Sequence, residues 1–162
     1  MQTITINVYE FSELSEKARA RVLEKFRYAN VDYDWWEFIY ADAENCGVKL
    51  TGFDLGVRRE CRGEFIDGAA AAREKILAEY QEGSDIHKIA AAFEPPARPD
   101  EISLDDEYDA DQADAAFLRD LLGCWWHRLD EEYAWLCSDE AVIDFLEANE
   151  YRFFADGRVF YE

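Results

Sequence analysis

Apolar positions change their period several times along this chain, and each change marks an element. In TITINVYEF, Thr3 to Phe11, residues Ile4, Ile6 and Val8 alternate with Thr3, Thr5 and Asn7, the period-two pattern of a half-buried strand. The period then lengthens. Ala18, Val22 and Phe26 share one helical face, with Lys17, Arg21 and Lys25 elsewhere, which predicts a helix ending near Tyr28. Ser12 and Ser15 are both candidate N-caps for it, because a hydroxyl accepts from the unpaired first amides of a helix. A second helix is predicted from about Asp34, with Trp36, Ile39, Ala43 and Cys46 inward and Gly47 closing it. VKLTGFDL and VRRECRGEF read as two strands joined around Leu55 and Gly56, with Gly52 as a bulge. GAAAAREKILAEYQEG predicts a helix closed by Gly83, and Ser84 or Asp85 opens a shorter one through Phe93.

Residues 94–100, EPPARPD, hold all three prolines and form the clear connector. Beyond it Leu118, Leu122, Trp125, Leu129, Tyr133 and Leu136 follow at intervals of three and four, which predicts a long helix over about 109–136. Ser138 caps a last short helix, and YRFFADGRVFY reads as a hairpin in which Asp156-Gly157 forms a type I′ turn. The sum is an α+β fold in a single domain, residues 1–162. A small, mostly antiparallel sheet of N-terminal strand, central hairpin and C-terminal hairpin packs with helices, including the long acidic one.

Charge changes this picture. The net charge is −20, and it is spread unevenly. Residues 100–162 hold nineteen acids and four bases, whereas residues 1–28 hold four acids and five bases. Between residues 100 and 114 lie eight carboxylates and no Lys or Arg: Asp100, Glu101, Asp105, Asp106, Glu107, Asp109, Asp111 and Asp114. Such a run repels itself and needs an apolar face elsewhere to hold it folded. Five Trp, nine Tyr and eleven Phe supply core material, so this is not a disordered acidic tail. An acidity that only solvates the surface, as in a salt-loving organism, predicts an even spread.

The residues offer few routes to catalysis or metal binding. An EF-hand loop starting at Asp105 puts Ala110 where the turn needs Gly and Ala116 where the bidentate Glu belongs. Cys124 and His127 supply half of a zinc site with no second pair, and the four cysteines, Cys46, Cys61, Cys124 and Cys137, read as free, mostly buried thiols. His127 with Asp130 or Glu131 is the local acid–base candidate, and there is no GxGxxG, GKS/T or GxSxG motif. No catalytic residue, cofactor or metal is therefore expected. Direct nucleic-acid binding is disfavoured by the charge, despite small basic clusters at Arg58, Arg59, Arg62 and at Lys17, Arg21, Lys25. With no apolar run of about 18 residues and no signal segment, the expectation is a cytoplasmic protein without a membrane role.

The stretch VYEFSELSEKARARVLEKF, then DYDWWEFIYADAENCGVKLTGFDL and the CRGEF strand, resembles a group of small proteins encoded by phages and integrated elements and often labelled antitoxins. The likeness covers about residues 1–66 and rests on the capped helix, Trp35-Trp36 with Tyr40, Asp42 and Ala43, and the turn from Gly52 to Leu55. It implies a mobile-element origin and transfers no catalytic residue.

Carboxylates three or four apart on a helix lie about 5–6 Å from one another, a spacing comparable with that of phosphates along a strand. The expectation is a non-catalytic, phage-type inhibitor that presents an acidic, nucleic-acid-mimicking surface to a host nucleic-acid-binding defence effector, a CRISPR or restriction system, inside the host cell. Its partner-binding residues are those from Asp100 to Asp114, followed by Asp130, Glu131, Glu132, Asp139 and Glu140. Two other readings stand beside it. One is an antitoxin or adaptor that binds a protein through exposed aromatics. The other is an enzyme or binder acting on a nucleotide signalling molecule, which needs a pocket lined by His127 or the arginine cluster. The sequence leaves open whether the chain forms a homodimer.

Overall fold

The computed structural model describes residues 1–96 and 104–161, which form an α+β fold of helices and two separate two-stranded antiparallel sheets. The chain divides into two compact units, Met1–Trp35 with Glu132–Glu162, and Trp36–Glu131. The first is called here the terminal unit and the second the central unit.

In the terminal unit Ser15 accepts from the Ala18 amide at 3.2 Å and starts helix α1, Glu16–Phe26. Ser138 does the same for Ala141 at the head of the last helix, Asp139–Ala148. Ala18 and Val22 from α1 meet Val142 and Leu146 from that last helix, closed by Phe11, Leu14, Phe153 and Val159. Phe153 and Val159 come from the C-terminal hairpin of Arg152–Phe153 and Val159–Phe160.

In the terminal unit two features depart from the pattern reading, which also placed both hairpins in one sheet where there are two. The N-terminal strand is reduced to one antiparallel bridge, Tyr9 to Phe153, with paired N···O distances of 2.8 and 2.9 Å. Ile4, Ile6 and Val8 are exposed. The reason lies in the partner, which turns back at Ala155, two residues past the bridge, and so offers residues 3–8 no backbone to pair with. The hairpin turn is not type I′ either, since that needs positive φ at both central residues and only Gly157 has it, at 87°. Ala155, Asp156 and Gly157 form a three-residue loop, with the Gly157 amide donating to the Phe154 carbonyl at 2.9 Å. A Cβ on Gly157 would lie 3.0 Å from the Ala18 carbonyl oxygen, so glycine also lets the loop approach α1.

The central unit begins with helix α2, Glu37–Asn45, which buries Ile39 and Ala43 and ends at Cys46 and Gly47, the latter with φ 81°. Trp36 is half-buried, and its ring meets Phe53 edge-on at 5.6 Å. Strands β1, Val48–Asp54, and β2, Glu60–Phe65, form the hairpin, with the register slipping between Leu50 and Gly52 as a bulge. Helices α3, Ala69–Glu79, and α4, Asp85–Ala92, follow. Arg73 on α3 donates to the carbonyls of Ala90 and Phe93 at 3.1 and 2.9 Å, satisfying acceptors that the end of α4 leaves open. Residues 94–96 are neither helix nor strand, and the rest of the predicted connector, 97–100, lies outside the described residues.

Helix α5, Leu104–Leu136, starts five residues earlier than its apolar stripe predicts. Asp105, Asp106 and Glu107 occupy its first turn, where the helix dipole favours carboxylates. Its buried face is Ala110, Phe117, Leu121, Trp125, Trp126 and Leu129. The predicted stripe shares Trp125 and Leu129 with this face, while Leu118, Leu122, Tyr133 and Leu136 are only half-buried. Phe117 decides the rotation: it stacks on Phe93 with centroids 4.1 Å apart and rings 5° from parallel, and on Phe65 at 5.7 Å.

Candidate functional site

Every residue from Leu104 to Asp109 is exposed, so the first turns of α5 carry Asp105, Asp106, Glu107 and Asp109 into solvent on all faces. Burial begins at Ala110. Asp111 is exposed and Asp114 half-buried. Asp100 and Glu101, also expected in the site, lie outside the described residues. Among the described residues no Lys or Arg stands within ion-pair distance of Asp105, Glu107, Asp109 or Asp111.

At about 100° per residue, Asp105, Asp109, Asp120, Asp130 and Glu131 fall within a sector of about 100° along α5. Glu107, Asp111 and Asp114 fall outside it. The acids therefore make an all-round acidic tip that narrows to a lateral row. Asp120 in that row is partly offset by Arg119, 3.4 Å away and largely exposed. Asp130 is half-buried and Glu131 exposed, and neither has an ion pair among the described residues.

Glu132, Asp139 and Glu140 belong to the terminal unit. Asp139 is tied down: its Oδ1 accepts from Arg27 Nη1 at 2.6 Å, and the same nitrogen donates to the Cys137 carbonyl at 2.9 Å. It acts as a cross-link between α1 and the head of the last helix. Glu140 is exposed, and Glu132 half-buried.

The central unit also holds a feature that pattern reading missed. Leu118 and Leu122, expected in the core, line an open groove of about 520 Å³ together with Ala115 and Gly123. Arg59, Glu60, Arg119 and His127 lie along it, and Cys61 and Trp126 complete the wall. The arginine cluster is unequally engaged. Arg62 holds Glu60 at 2.7 Å and Arg58 reaches the same carboxylate at 3.8 Å. Arg59 has no carboxylate partner among the described residues, and its guanidinium lies over the Trp126 ring, 5.1 Å from the centroid. Its φ is 53°, a left-handed conformation uncommon for a residue with a Cβ. The Trp126 indole is fixed from the other end by donating Nε1–H to the Asp54 carbonyl at 2.9 Å. The legible signal was a surplus: apolar residues occupy 117, 118, 121, 122, 125, 126 and 129, one row more than a single core face requires.

Cys46 is buried, but Cys61, Cys124 and Cys137 are only half-buried, so the thiols are free but less enclosed than their amphipathic settings suggest. Burial pushes Cys61 up to about 11, and burial followed by the nearby Asp42 carboxylate pushes Cys46 up to about 11. Both thiols stay protonated near neutrality and are poor nucleophiles. Burial, then Asp85 and Asp120, raises Cys124 as well. Asp42 accepts from the Tyr80 hydroxyl and from Arg128 Nη1, joining α2 to α3 and α5. Among the described residues no group of three or more His, Cys, Asp or Glu is placed to hold a metal ion, and no helix is long and apolar enough to cross a membrane.

Comparison with models of known families, with curated proteins and with solved structures gives no match.

Proposed function

We propose that this chain is a non-catalytic inhibitor of phage or mobile-element type that occupies the nucleic-acid channel of a host defence effector, such as a CRISPR complex or restriction enzyme. The observation that carries this reading is the tip of α5, where Asp105, Glu107, Asp109 and Asp111 are exposed on a helix and have no basic neighbour within ion-pair distance among the described residues. A surface that serves only to solvate usually interleaves Lys or Arg at i+4, because such pairs stabilise the helix. Here the nearest basic residue along α5 is Arg119. Carboxylates without a basic partner among the described residues, carried on a stiff backbone, present a field that steers a cationic groove into contact. The reading rests on the central unit, with Asp130 and Glu131 extending the row.

The test is capture of a nucleic-acid-binding protein from host lysate at low salt, with duplex DNA as competitor. Reversing Asp105, Asp106, Glu107 and Asp109 to Lys abolishes capture. Replacing them with Asn or Gln weakens it while keeping the first turn of α5 free of added positive charge. Undiminished capture by both variants contradicts the proposal.

A second reading has its own support in the terminal unit. Tyr28, Tyr33 and Trp135 are exposed, and exposed aromatics are the anchors an antitoxin or adaptor uses to hold a protein partner. That mode of binding depends on Trp135 and little on salt.

A further inference from the structure

From the groove beside Trp126 we infer a binding site for a small amphipathic organic anion, an apolar body of about two fused rings carrying one carboxylate or sulfonate. This site is independent of the acidic tip and stands whether or not the tip imitates nucleic acid.

Size and lining come first. A volume of about 520 Å³ is within the range of small-molecule sites, which are mostly apolar with a few placed polar groups. The floor is Leu118, Leu122 and Gly123. Glycine inside a helix costs about 1 kcal/mol relative to alanine, and here no steric demand explains it, because a Cβ on Gly123 would meet nothing within 4 Å. What the missing side chain does is leave the floor open.

Charge then selects the ligand. In a protein of net charge −20, this edge carries Arg58, Arg59, Arg62 and Arg119 against Glu60 and Asp120. Arg62 and Arg58 are spent on Glu60, and Arg119 lies against Asp120. Arg59 remains, held over an aromatic face with its N–H donors uncommitted to any carboxylate among the described residues. The Cys61 thiol, neutral below about 11, adds no opposing charge. The left-handed backbone at Arg59 is a local strain, of the kind that clusters at ligand clamps. One uncommitted guanidinium matches one anionic group. A nucleotide, with several negative charges and polar base edges, fits this lining poorly.

The test uses the full chain labelled with ¹⁵N and three probes: 2-naphthoate, its neutral isostere 2-naphthamide, and AMP. The Trp126 indole N–H is the reporter. Naphthoate shifts it saturably, along with the Leu118, Leu122 and Gly123 amides, at or below about a millimolar. Naphthamide binds about fivefold more weakly, the worth of one exposed charge pair, and AMP more weakly than naphthoate. Arg59→Gly removes the cation while relieving the backbone strain, so folding is kept, and it brings naphthoate to the level of naphthamide. Gly123→Leu fills the floor with a better helix former and removes both naphthyl probes. Equal affinity for naphthoate and naphthamide, tighter binding of AMP, an unaltered response in Arg59→Gly or Gly123→Leu, or no saturable shift at Trp126 overturns the assignment.

Discussion

Arg128 on α5 donates Nη1 to the Asp42 carboxylate on α2 at 2.5 Å, and Tyr80, just past α3, gives its hydroxyl hydrogen to the same carboxylate oxygen. One acceptor thus joins three parts of the central unit, and the Arg128 nitrogen lies 3.3 Å from the Tyr80 oxygen as well. The Asp42 and Arg128 side chains keep 37% and 39% of their exposure, so the pair is partly screened by water and its Coulomb energy is modest.

The three residues act as a unit. Tyr80→Phe and Arg128→Met each lower the unfolding free energy by about 1 kcal/mol, and the double variant loses less than the sum. Urea denaturation of the four chains of the cycle measures this. Strict additivity means that the shared acceptor does not couple them.

The rotation of α5 is testable by size reduction. Phe117→Ala removes a ring stacked on two others and costs about 3–5 kcal/mol, whereas Leu118→Ala, at the half-exposed groove floor, costs about 1 kcal/mol. A larger loss at Leu118 than at Phe117 places the core on the face that the apolar stripe predicts.

Alkaline pH weakens the fold. Cys46 and Cys61 are raised from 9.0 to about 11, and Tyr40, Tyr80 and Cys124 are raised too, in each case with burial as the largest cause. An acid with a raised native pKa stays protonated in the folded state after the unfolded chain has lost its proton, so stability is full below pH 9 and falls as pH rises towards 11. For buried Cys46 the loss is on the order of 2 kcal/mol. Urea midpoints from pH 8 to 11 show the decline, and Cys46→Ala makes it shallower. A midpoint independent of pH contradicts the burial of these groups.

Local chemistry made much of the fold legible. A hydroxyl three residues ahead of an amide gives the caps at Ser15 and Ser138, and Gly47 ends α2 because its backbone needs positive φ. Tertiary choices were not legible. TITINVYEF has a strand's alternation, but whether it pairs depends on how soon Phe153 and Phe154 turn back, about 150 residues away. Seven apolar positions between Phe117 and Leu129 wrap too far round the helix to name a single inner face, and Phe93 and Phe65 settle it by stacking. The acidic run was plain in the sequence. That Asp139 is held by Arg27 was not, since that partner lies far away along the chain.

Salt dependence of partner binding tests the central claim most directly. With the captured host protein purified, its affinity for this chain is measured from about 50 to 200 mM salt, with and without duplex DNA. The account predicts a fall of at least about tenfold over that range, as for ligands held by many screened charges, together with displacement by the duplex. An affinity that changes by less than about twofold, and that DNA leaves untouched, contradicts it.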